Sequence, residues 1–333
     1  MIERFPLLCP DEHGLVTSRA AAAAGLDAAD LRRLVRGGEL VPIRRGVYAD
    51  ARRWEQLEPY REQPLLRIRA AQLVLRCQHV LSHDSAALVL GLGCPDPVHA
   101  LVHVTRPKVH GDAVRAGVKH HLAPYSPDQV VEIGDFHLLD PARTALDMAR
   151  EHGLVAGVAC CDAALRAGVP RAALHDARSR MQCWPHSRVM DAAIGLADPG
   201  AESWLESEAR MLVHSLDIGR PETQFGLRDG RRYARCDIRV GRHLFEADGQ
   251  LKYRSDDPLR AADVLWDEKQ RQDFVCGFKL GVSRITAHDC HAGREAARRR
   301  LLREYADTCA RFGTDISDLA PYVVPYVLPA PRL

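Results

Sequence analysis

The sequence predicts an α/β chain of the α+β kind, and three observations carry that expectation. Two short capped helical patterns near the N-terminus run directly into an alternating basic segment. Residues 201–310 read helix, three strands, helix, strand, with turn signals between them. Between these lies a stretch, 65–195, in which amphipathic helical patterns mix with strand-like alternation.

At 333 residues the chain has room for two or three domains with cores of their own. A hydrophobic content of 46% and a charged content of 27% are those of an ordinary globular protein, which excludes a disordered or fibrous class. No apolar run approaches a membrane span and the first residues lack a signal-peptide pattern, so a cytoplasmic protein without membrane contact is expected. The net charge of +2 does not announce a nucleic-acid binder. Local charge is more informative, because residues 28–53 hold seven arginines against Asp30, Glu39 and Asp50. The ten cysteines contain no C-x-x-C pair and read as small buried residues or free thiols. His288-Asp289-Cys290-His291 lacks the distant partner a zinc site needs. His79 and His83, at i and i+4, read as capping or polar residues rather than ligands.

Taken in order, Thr17 caps a helix through Ala20–Ala24 that Gly25 ends. Asp27 caps a second, residues 28–36, closed by Gly37-Gly38. Leu31, Leu34 and Val35 form its apolar stripe, which leaves Arg32, Arg33 and Arg36 outward. Leu40–Tyr48 alternates and closes on Arg44-Arg45-Gly46-Val47-Tyr48, a basic β-wing. Residues 12–50 therefore read as a winged helix-turn-helix, with the second helix for the major groove and the wing for phosphates. A winged helix that contacts protein instead is the bland alternative. In the middle stretch Leu66–Leu75 is amphipathic, Leu81-Ser82-His83-Asp84 opens a helix, Val98–Val104 alternates like a strand, and Asp140-Pro141 opens another helix. Its Ser82, His83 and Thr144 are expected to serve as caps and internal hydrogen bonds. Asp198-Pro199-Gly200 is the expected boundary to the next domain.

Residues 233–253 carry the most specific chemistry. Val240 and His243 flank Gly241-Arg242, a two-residue turn with glycine first, as a type II′ hairpin requires. That register pairs Arg239 with Leu244, Ile238 with Phe245 and Asp237 with Glu246. Alternation then places Asp237, Glu246 and Asp248 on one face, and Cys236, Ile238, Val240, Phe245 and Ala247 on the other. Opposed like charges destabilise a strand pair, so a cation is expected between Asp237 and Glu246, with a divalent metal the first candidate. Solvated carboxylates neutralised by nearby arginines are the alternative.

Ser203-Trp204-Leu205-Glu206, Arg235-Cys236-Asp237-Ile238, Phe245-Glu246-Ala247-Asp248-Gly249 and Arg271 through Gly281-Val282-Ser283-Arg284-Ile285-Thr286 together resemble a Vsr-like endonuclease domain of the PD-(D/E)XK superfamily. Residues 12–50 with 65–195 resemble the AbiEi antitoxin family of winged-helix regulators from toxin–antitoxin systems. The resemblance implies a winged helix-turn-helix domain (1–55), an AbiEi-like middle α/β domain (56–198), a restriction-endonuclease-like mixed sheet flanked by helices (199–312) and a tail (313–333). It further implies Asp237 and Glu246 as ligands of Mg²⁺ or Mn²⁺, with Glu206 an acid supplied by the first helix. Asp248 stands where that motif has lysine, so Lys252 is the residue expected to reach back in its place. Such a site would hydrolyse phosphodiester bonds. Lys269 and Arg271 are candidates for gripping phosphate, and Arg32, Arg33, Arg36, Arg44, Arg45 and Tyr48 for meeting DNA. A cognate toxin or defence protein is the expected protein partner. The alternative is a regulator of antitoxin type that keeps the nuclease fold for binding alone.

Overall fold

The structure, a computed structural model, describes residues 11, 13–107, 113–249 and 269–328. They gather into two compact units, one ending at His152 and the other beginning at Gly153.

The first unit opens with β1 (Leu15–Thr17), α1 (Ser18–Ala23), α2 (Ala28–Arg36), β2 (Leu40–Arg44) and β3 (Val47–Asp50). The strands form an antiparallel sheet in the order β1-β3-β2. Thr17 Oγ1 accepts the Ala20 N–H at 3.1 Å, as the sequence predicts. Gly25, at φ +80°, reverses the chain after α1. Asp27 Oδ1 then accepts the N–H groups of Ala29 and Asp30, both at 2.8 Å, while Asp30 Oδ2 takes the Asp27 N–H at 3.2 Å. Leu26, just before that cap, and Leu31, one turn inside the helix, bury in the same cluster, a hydrophobic staple that fixes how α2 leaves the turn.

Behind this lie α3 (Ala51–Gln56), α4 (Glu62–Gln72), β4 (Val80–Leu81), α5 (His83–Val89), β5 (Val102–Arg106), β6 (Ala113–Arg115), β7 (Val118–Leu122), β8 (Val130–Ile133), β9 (Phe136–Leu139) and α6 (Pro141–His152). The strands form a six-stranded mixed sheet, order β6-β7-β5-β4-β9-β8. Thr144 Oγ1 donates to the Leu139 carbonyl at 3.0 Å, the internal role expected of it.

The second unit comprises α7 (Leu154–Arg166), α8 (Arg171–Ser179), α9 (Ser187–Leu196), α10 (Trp204–His214), β10 (Glu222–Asp229), β11 (Arg232–Val240) and β12 (His243–Asp248). It continues with α11, helical through residues 269–276, then β13 (Gly281–Thr286), α12 (Ala287–Cys290), α13 (Arg294–Phe312) and β14 (Val323–Val324). The sheet order is β13-β12-β11-β10-β14, antiparallel except that β13 runs parallel to β12. The helix-strand-strand-strand-helix-strand order read from 201–310 is therefore present. Both faces of the sheet are covered. Leu212, Ile238, Phe245, Ile285 and Leu301 fill one core, and Phe225, Cys236, Leu244, Val275 and Leu280 the other.

The break between units falls at 152/153, whereas the sequence suggested 198–200. Asp162, buried in the apolar helix α7, accepts hydrogen bonds from the Asp198 N–H at 2.6 Å, Ser207 Oγ at 2.8 Å and Arg210 Nη2 at 2.7 Å. A carboxylate that takes donors from both sides of Pro199-Gly200 ties the preceding helices to α10. The segment expected as a tail also contributes to the fold. Leu319 is buried, β14 pairs with β10, and the Arg242 guanidinium donates to the Asp315 and Phe278 carbonyls at 2.6 and 3.1 Å.

Candidate nucleic-acid interface and the carboxylate hairpin

On α2 the apolar stripe turns Leu31 and Leu34 into the core, and Arg32, Arg33 and Arg36 are exposed. Arg33 pairs with Asp30 one turn back at 2.8 Å, while among the described residues no ion pair engages Arg32, Arg36 or Arg45. In the wing, Gly46 at φ +81° makes the β2–β3 reversal, its carbonyl accepts the Ser18 N–H at 2.9 Å, and Arg45 is exposed. Arg44 is placed differently from Arg45. It is half-buried, donates from Nη2 to the Ala116 carbonyl at 3.4 Å, and burial lowers its pKa. Tyr48 is half-buried against the cluster formed by Val16, Leu26 and Leu34. The face open to a ligand is therefore Arg32, Arg33, Arg36 and Arg45.

In the second unit the hairpin register is as expected over three rungs: Val240–His243, Arg239–Leu244 and Ile238–Phe245. Gly241 stands at φ +55° and Arg242 keeps a negative φ, the pattern of a glycine-first turn. The next rung, Asp237–Glu246, is not made. Instead Asp237 Oδ2 accepts the Ala247 N–H at 2.8 Å. The faces exchange at this point. Opposite Asp237, Gln224 adopts φ +55°, a strained conformation for a side-chain-bearing residue, and its amide donates to Glu206 at 3.1 Å. Cys236 consequently joins the core with Phe225 and Leu244, while Ile238 joins the opposite one. Simple alternation placed Cys236 with Ile238; the kink overturns that. Burial pushes the Cys236 thiol up to about 12, and the neighbouring Glu246 charge adds to the shift.

Glu246 is met by a guanidinium. Arg271, on α11, grips both oxygens of Glu246, with Nη1 to Oε1 at 2.7 Å. Arg271 is thus engaged internally, although the sequence offered it for phosphate. Asp248 has the Arg284 guanidinium at 3.8 Å. Glu206 closes the first turn of α10, taking the Glu202 N–H at 2.7 Å and the Ser203 hydroxyl at 2.9 Å, and burial raises its pKa. Lys269 is exposed on α11. Lys252 lies outside the described residues. Glu246 is thus held in a two-pronged ion pair and Asp237 accepts a backbone amide. Among the described residues they form no group of three potential metal ligands, whereas His83, His103 and His121 of the first unit do.

Residues 8–49 match one known family. Its description is transcriptional regulator, AbiEi antitoxin, and the match spans the winged helix-turn-helix. No curated protein matches the chain. Among the described residues, no helix is long and apolar enough to cross a membrane.

Sequence reasoning missed the histidine group and the Asp162 network. The Asp162 network had a signal, a lone Asp in Leu-Val-Ala-Gly-Val-Ala-Cys-Cys-Asp-Ala-Ala-Leu, whereas the histidines come together only through strand pairing. A polar group at a core position requires a partner.

Proposed function

We propose that the chain is a DNA-binding transcriptional regulator of antitoxin type, with a cognate toxin as its protein partner. Helix α2 enters the major groove through Arg32, Arg33 and Arg36, and Arg45 of the wing lies against phosphate. The observation that carries this reading is the exposure of these arginines on a tightly capped, glycine-reversed helix pair whose sequence matches a regulator family. In a mobility-shift assay on a fragment of the chain's own promoter, wild type retards the DNA and the Arg32→Ala/Arg36→Ala variant does not. Equal retardation by a folded variant removes the reading.

A second reading, metal-dependent endonuclease activity in the Vsr-like manner, is favoured by the helix-strand-strand-strand-helix-strand order and the parallel closing strand. The Arg271–Glu246 pair weighs against it. Plasmid nicking with Mg²⁺ or Mn²⁺ separates the two. The regulator leaves the supercoiled band intact, and nicking that Asp237→Ala and Glu246→Ala both abolish establishes the nuclease.

A further inference from the structure

We propose that His83, His103 and His121 bind a divalent transition-metal ion of the Zn²⁺ class, fastening helix α5 to strands β5 and β7. The three rings come from three elements far apart in sequence, and one ligand atom from each lies within 4.8 Å of the others. All are buried, with exposures of 3%, 2% and 4%. Strands β5 and β7 are parallel neighbours in which His103 opposes Lys119 and His121 opposes Thr105, so both imidazoles project from one face. His83 begins α5, held in the left-handed region at φ +47°. A β-carbon residue there stores strain, which persists where surroundings over-determine it.

The donor chemistry suits a borderline cation. Imidazole is a favoured ligand for zinc, nickel and copper, provided it is neutral. Burial of all three rings disfavours the charged imidazolium, and a neutral imidazole has one nitrogen lone pair to offer. His103 Nδ1 lies 3.1 Å from His121 Nε2, and its other nitrogen, Nε2, faces Asp84 Oδ2 at 3.6 Å. A carboxylate behind the far nitrogen is the arrangement that orients metal-binding histidines and raises their basicity. His83 has the Ser82 hydroxyl at 3.0 Å from Nδ1 and Asp147 Oδ1 at 4.0 Å from Nε2. Asp84 is itself fixed by the His152 ring at 2.5 Å, and Asp147 holds Arg143 and Arg150 at 2.9 and 3.1 Å. Two carboxylates thus face the site, and the two nearby guanidiniums are tied to one of them.

Tetrahedral zinc at ~2.1 Å from each nitrogen separates them by roughly 3.4 Å, so a pair at the 4.8 Å limit must close by about 1.4 Å. The His83 and His121 rings, stacked at 3.7 Å and 13°, must also splay so that one ion lies in both ring planes. Burial on all sides makes this a site that secures the fold of the first unit rather than one for turnover.

The test uses untagged full-length protein, stripped with a chelator and dialysed against Zn²⁺ or Co²⁺. The expected result is one zinc per chain by elemental analysis, the intense visible absorption of tetrahedral Co²⁺, and a melting temperature raised by zinc. His103→Gln and His121→Gln lose stoichiometric binding and the Co²⁺ band, His79→Gln keeps both, and Asp84→Asn weakens binding by the roughly 10–100-fold typical of an outer partner. Folded wild-type protein that takes up no zinc and shows no tetrahedral Co²⁺ band overturns the proposal, whatever the variants do. So does binding by folded His103→Gln equal to that of wild type.

Discussion

The winged helix and the carboxylate hairpin are both rich in charge, yet they dispose of it in opposite ways. On α2 and the wing, Arg32, Arg36 and Arg45 reach solvent, and among the described residues none is held in an ion pair. In the second unit the charges close on one another: Glu246 with Arg271, Asp162 with Arg210, Arg242 with two carbonyls and Asp318. Unspent surface charge can exchange its counterions for a phosphate backbone, whereas charge already paired inside a fold mostly holds that fold together. The same residue type, arginine, thus stays open to solvent in one region, as the proposed DNA-reading role requires, and holds the fold together in the other.

The contrast is tested most severely at Arg210. Arg210→Met leaves the Asp162 carboxylate buried without its cation, and we expect a loss of roughly 3–5 kcal/mol in urea unfolding of the second unit. A loss within experimental error would mean that the pair is not structural.

A pH effect comes next. His243 is buried between the Thr308 and Ser283 hydroxyls, each at 2.7 Å, and burial lowers its pKa to about 4. Below an unfolded pKa of ~6.5 the unfolded chain takes up a proton that the folded chain refuses. Stability is therefore complete above that value and falls as pH drops toward about 4, by up to ~1.4 kcal/mol per pH unit. The stability difference between wild type and His243→Gln, followed from about pH 7 to about 4.5, should change with that slope; a constant difference contradicts it.

Arg271→Met should cost roughly 1.5–3 kcal/mol, the range for hydrogen bonds to charged groups, and should free Glu246. If it also confers Mg²⁺-dependent nicking, the hairpin is a latent site rather than a structural one. At the other pole, Asp27→Ala removes the cap of α2 and should lower the melting temperature, with DNA affinity falling alongside. Arg32→Ala and Arg36→Ala should change stability by less than about 0.5 kcal/mol, since neither side chain is spent on the fold.

Local chemistry made much of this legible in the sequence. The caps at Thr17 and Asp27, the end of the first helix at Gly25 and the glycine-led turn at Gly241 are each decided within a few residues, and each is found where the pattern placed it. What failed was non-local. Alternation could not foresee the kink at Gln224 and Asp237, because the strain there is held by Glu206 from another element. The short strands β6 to β9 give too few alternating positions to be read. Asp198-Pro199-Gly200 reads as a boundary, and the buried Asp162 that bridges it lies in a helix that otherwise reads as apolar core. His103 and His121, 18 residues apart, meet only because β5 and β7 pair in parallel.

The most direct measurement is the salt dependence of DNA affinity for wild type and for an Arg32→Ala/Arg36→Ala/Arg45→Ala variant. A regulator that reads DNA through this face should show log affinity falling steeply with log salt, and the variant's slope should be shallower by about 0.9 for each phosphate it no longer neutralises. Parallel slopes for the two folded proteins would place the DNA-binding surface elsewhere and contradict the assignment.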